Sequence, residues 1–119
     1  MTTHPVADLC RRAAAACDGA RLLETPGLSV LLAPREGAVN LTVAYGDHEA
    51  ALWLDTHKWS EYDWTPDDHT ELDDLAATIS AVQRGDAELH YRRSGPHLTY
   101  TGARVATQHV TTHPAAPDA

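Results

Sequence analysis

Residues 57–69 read His-Lys-Trp-Ser-Glu-Tyr-Asp-Trp-Thr-Pro-Asp-Asp-His. Two tryptophans, one tyrosine and four acids crowd into thirteen positions, just after Trp53 and Asp55. Trp and Tyr are favoured interface anchors because each offers a large, rigid apolar area with a polar handle. Acids around them form a rim complementary to Arg or Lys on a partner. The pattern predicts a protein-binding surface of Trp53, Asp55, Trp59, Glu61, Tyr62, Asp63, Trp64, Asp67 and Asp68, facing a basic protein partner. The competing placement turns Trp59 and Trp64 inward as a lid over a sheet end.

The charge distribution supports the same segment. Residues 47–74 carry ten acids against Lys58 alone, a net of −9. The rest of the chain holds seven acids and eight arginines, so the overall −8 belongs to this window. No basic stripe is present to meet phosphates, which argues against direct nucleic-acid binding. A concentrated acidic patch instead speeds encounter with basic partners or divalent cations.

Other chemistries find less support. Eight histidines raise the question of a metal, and Asp55, His57 and His69 are the set that would build one. A small metal-dependent enzyme or metal sensor there is the alternative reading. No HExxH or CxxC spacing fixes a ligand geometry, so no cofactor is expected. Ser60 lies near His57 and Asp63, but a catalytic triad is defined by geometry and not by proximity in sequence. No glycine-rich phosphate loop occurs, and no catalytic residue is assigned. Cys10 and Cys17 would sit about 10 Å apart along a helix, too far for a disulfide. A third reading is a structural subunit that forms a homodimer through its aromatic segment.

The elements that must position these residues follow from periodicity. Thr3-His4-Pro5 opens a helix, in which Val6, Leu9, Cys10, Ala13, Ala16, Cys17 and Ala20 keep a helical spacing, with Gly19 as its cap. Arg21–Glu24 reads as a short strand. Residues 28–33 suit a strand buried on both sides. Residues 39–43 alternate, and a Gly46-Asp47 turn leads into residues 49–55. There Ala50, Leu52 and Leu54 share the core side, and Glu49, Ala51, Trp53 and Asp55 the other. Residues 56–65 are expected to be a loop. Thr65 is the expected N-cap and Pro66 the first residue of a second helix, with Leu72, Leu75, Ala76, Ile79 and Val82 on its apolar face and Gly85 past its end. Residues 87–93 and 97–104 form a hairpin around Ser94-Gly95-Pro96. Residues 108–119 have little to bury and are expected to be a disordered tail.

The expected fold is therefore α+β: one antiparallel sheet of five or six strands with two helices on one face, in a single domain over residues 1–107. The order is helix, three or four strands, helix, two strands. Over residues 5–104 this order resembles the small α+β fold of type III secretion chaperones and YbjN-type proteins. Small acidic immunity proteins of bacteria resemble it at the level of class. Such a resemblance implies a dedicated binding protein and not an enzyme. The chain has 119 residues and no apolar run of about 18 that would span a membrane. No leader pattern opens it, so a cytoplasmic location is expected. Eight arginines against one lysine, with twenty alanines, match the coding bias of a high-GC bacterial genome.

Overall fold

A computed structural model describes residues 4–35, 37–106 and 110–114. Helix α1 (Pro5–Ala15) starts as its sequence demands, with Pro5 at the first position. The Val6 amide donates to His4 Nδ1 at 3.1 Å, which caps the end. The helix stops at Ala16, short of Gly19, which takes a left-handed φ of +85° in the turn that follows.

Five strands come next: β1 (Arg21–Thr25), β2 (Leu28–Leu32), β3 (Leu41–Tyr45), β4 (Glu49–Leu54) and β5 (His57–Asp63). Helix α2 (Thr70–Gln83) follows, then β6 (Ala87–Ser94), β7 (His97–Ala106) and β8 (Val110–Pro114). The first five strands pair antiparallel in sequence order, and β6, β7 and β8 form a separate antiparallel sheet. The class and the alternation of helices and strands match expectation. Three details differ. The strands divide into two sheets, since α2 intervenes between β5 and β6. Part of the expected tail, residues 110–114, pairs with β7 as β8, because residues 102–106 offer it a free ladder; residues 107–109 and 115–119 lie outside the described set.

The third difference concerns residues 57–63, expected to be a loop and found as strand β5. Plain alternation fails there because the strand is bulged. Leu52 pairs with Ser60 and Trp53 with Lys58, which leaves Trp59 as the extra residue. A bulge shifts the side-chain phase by one residue. Trp59 and Tyr62, three apart, therefore both point into the core.

Helix α2 also begins later than its sequence signals suggest. Thr65 caps a tight turn and not a helix: its Oγ1 accepts from the Asp68 amide at 3.0 Å, and Thr65 and Asp68 form a short bridge. Asp68 Oδ1 then accepts from the Thr70 amide, also at 3.0 Å, and from the Thr70 hydroxyl. At the far end Gly85 has a φ of +86°. Its amide donates to Val82 O, and the Asp86 amide to Ala81 O, the pair of bonds that defines a Schellman stop.

Both helices cover the same face of the five-stranded sheet. Val6 and Cys10 from α1, with Leu72, Leu75, Ile79 and Val82 from α2, pack on Leu31, Leu41, Val43, Leu52 and Leu54. Ala103 and Val105 of β7 join the same core. Cys10 and Cys17 are free thiols, and burial pushes the Cys10 thiol up to about 11 against the pull of the neighbouring Ser29 hydroxyl. At the β4–β5 turn Asp55 takes a left-handed φ of 53°. Its carboxylate accepts from the Asn40 amide at 2.9 Å, and its own amide donates to Asn40 O. The turn is thereby tied to the loop before β3.

Candidate functional site

Strand pairing determines what the uncovered face displays. One cross-strand row runs Leu23, Val30, Thr42, Trp53, Lys58; the next runs Thr25, Leu28, Ala44, Ala51, Glu61. Leu23 and Leu28 are exposed, and Val30, Ala44, Ala51 and Trp53 are half-buried. Strand β2 was expected to be buried on both sides, but only Ser29 and Leu31 are buried. With both helices on the inner side, Leu28, Val30 and Leu32 belong to the open face. The Lys58 ammonium stands 6.0 Å from the centre of the Trp53 ring, within cation–π reach.

At one end of this face lies a cleft of about 520 Å³. Its floor is Ala44 and Ala51, its ends are Gly27 and Gly46, and its acidic wall is Glu49, Glu61 and Asp63. Glu49 and Asp63 are direct cross-strand partners. The register puts two acids on the same side of neighbouring strands, an arrangement that weakens a sheet unless a cation lies between them. Lys58 donates to Glu61, and that contact holds the Glu61 carboxyl below its usual range. The Asp63 amide donates to Glu71 Oε1, which brings a further carboxylate to this end.

The residues singled out from sequence divide between two faces. Trp59, Tyr62 and Trp64 are only 7%, 3% and 6% exposed. Their expected role as surface anchors is therefore corrected: they are core, brought inward by the bulge and by the alternation that follows it. Burial pushes the Tyr62 phenol up, against the pull of the Thr78 hydroxyl. Trp64 meets the His4 ring edge-on, with centroids 6.2 Å apart. Glu61 and Asp63 alternate with these aromatics and project to the other side, into the cleft. Trp53 stays on the open face. Asp55 is occupied at its turn. Asp67 and Asp68 are exposed beyond β5, where the hydrogen bonds from Thr70 hold the Asp68 carboxyl below its usual range.

The alternative metal set is not assembled. His57 begins β5, whereas His69 lies beyond its other end, next to α2. Among the described residues no three His, Cys, Asp or Glu side chains gather to hold a metal ion. His57 is engaged otherwise: its ring stacks on Tyr100 with centroids 3.6 Å apart, and its Nε2 lies 3.1 Å from the Tyr91 hydroxyl oxygen.

Sequence reasoning placed Glu49 on the mixed face but did not assign it to the site. Leu23 and Leu28 fall in strands expected from the sequence, but not as exposed residues of a binding face. The available signal for Glu49 was the alternation of residues 49–55, which already set it beside Ala51 and Trp53. No protein-family model matches this chain, and no curated protein or solved structure matches it either.

Proposed function

We propose that this chain is a protein-binding domain that holds a basic protein partner against the acidic cleft and the open sheet face beside it. The observation that carries the reading is the Glu49–Asp63 pair, two carboxylates held opposite each other on the wall of a cleft. An arginine or lysine seated between them turns a repulsion into two charge-assisted hydrogen bonds. The apolar floor and Trp53 supply area beside that charge, the combination that partner anchors use. Of the buried aromatics Tyr62 borders the cleft, whereas Trp59 and Trp64 take no direct part. They fix the strand on which Glu61 and Asp63 stand.

The test is a titration of 15N-labelled protein with a short arginine-rich peptide at low salt, with an equally long glutamate-rich peptide as control. Amide shifts should concentrate on residues 44–51 and 61–63, weaken as salt rises and vanish in E49K/D63K. Shifts spread evenly over every acidic residue, and unchanged in that variant, would refute the proposal.

A further inference from the structure

The β6–β7 hairpin leaves the body of the molecule. Every residue from His90 to Thr99 is exposed, and the molecule is correspondingly long, 53 × 32 × 28 Å. Its pairing puts Tyr91 opposite Tyr100 and Arg93 opposite Leu98, so these four share one face of the hairpin. At the base of that face Tyr91 and Tyr100 rest on His57. Beyond the base the face continues with nothing among the described residues against it: Leu98 is 60% exposed, and Tyr91 remains 47% exposed despite its contact. Residues 89–103 contain no acid, and they carry Arg92 and Arg93 together with His90 and His97. Neither arginine forms an ion pair among the described residues. The hairpin is thus a projecting, basic, partly apolar arm.

The complement of this arm is on the same chain. The open face of the five-stranded sheet offers Leu23, Leu28 and Trp53, with Glu49, Glu61 and Asp63 at its end. The arm cannot fill its own cleft. It is anchored at His57, where β5 begins, and the cleft is walled by Asp63, where β5 ends, roughly 20 Å away at the rise of an extended strand.

We propose that the occupant of the open face is a second copy of this chain, which lays the tip of its β6–β7 hairpin across that face with Leu98 toward Leu23 and Leu28 and Arg93, on the same side of the hairpin, toward the acidic cleft, while Arg92 beside it adds to the positive charge of the tip. The contact joins unlike surfaces, so a pair closes only when both arms engage at once and otherwise keeps one free arm and one free face. This inference rests on the cleft reading above and names its partner.

The experiment is sedimentation equilibrium of the full chain over a range of concentrations at low salt, with three variants: R92E/R93E, L98D and E49R/E61R/D63R. All the substituted residues are exposed, and far-UV circular dichroism checks that each variant is folded. The wild-type mass should rise above the monomer with concentration. Each variant should weaken association at least about tenfold. A mixture of R92E/R93E with E49R/E61R/D63R should associate again, because each supplies the charge that the other now lacks. A wild type that stays monomeric at millimolar concentration overturns the inference, and so does association that the variants leave intact or that the mixture fails to restore. The peptide titration separates the two proposals: a monomer that still binds the arginine-rich peptide in its cleft refutes the second copy and leaves the cleft reading standing.

Discussion

Replacing Trp59 by alanine separates the two roles an aromatic residue can have in this segment. Trp59 is the extra residue of the β5 bulge, 7% exposed, and packs in the core that includes Leu72 and Leu75. Removing a buried Trp side chain costs about 3–5 kcal/mol, from lost transfer energy and the cavity left behind. A chain of 119 residues has a total stability on the order of 6–18 kcal/mol. The substitution therefore removes a large share of it. With a urea dependence of about 1.5 kcal/mol per molar, the unfolding midpoint should fall by roughly 2–3 M. Trp53→Ala is the matched control. Trp53 is half-buried on the open face, where its ring meets the Lys58 ammonium, so its loss should cost about 1 kcal/mol. Urea unfolding followed by far-UV circular dichroism measures both without relying on tryptophan emission. Equal midpoints for Trp59→Ala and wild type would refute the inward placement of Trp59 and with it the bulge argument.

Leu75, fully buried between α2 and the sheet, should cost about 2–5 kcal/mol when cut to alanine, read from the same urea curves. Cys17 should react with a thiol reagent in the folded protein well before Cys10, which is buried and holds its proton up to about pH 11; equal rates would contradict the packing of α1. The Asp68 carboxyl should titrate below its ordinary 3.8, and Thr70→Val should move it back up, as followed by carbon-detected NMR. The sign follows from the depressed value. Asp68 and Glu61 add stability at pH values above their unfolded pKa and lose it as pH falls through the folded one, so their share disappears only in acid, and both being exposed it is small.

Much of the scaffold was legible because local signals and burial agree. Leu72, Leu75, Ile79 and Val82 keep a helical spacing and face the core, and Gly85 stops the helix with the backbone conformation that glycine favours. Ala50, Leu52 and Leu54 alternate and are buried. Two kinds of residue misled. Trp59 and Tyr62 are three apart, a spacing that fits no flat strand, and the bulge that reconciles them depends on pairing with Leu52 and Trp53, which the local sequence does not encode. Thr65-Pro66 has the residue types of a helix start, but the same hydroxyl that can cap a helix closed a four-residue turn. The site divided along the same line. The acids were found by their concentration. Which of them converge was decided by strand register, and register set Glu49 beside Asp63 and left Asp67 and Asp68 outside.

The order of strands in the larger sheet is simply the order of the chain, β1 through β5, each beside its predecessor. No pairing in that sheet has to wait for a distant segment to arrive. Each hairpin closes a short loop, so the entropy lost before the next contact forms stays small. A meander of this kind can grow one strand at a time from any of its turns, and rates of folding track such locality. The late step is then the second sheet, whose β7 must pack on α2 and on a core that the helices and the first sheet have already brought together. Slow phases in refolding should respond to changes at Ala103 and Val105, whereas changes in the β3–β4 turn should act on the fast ones.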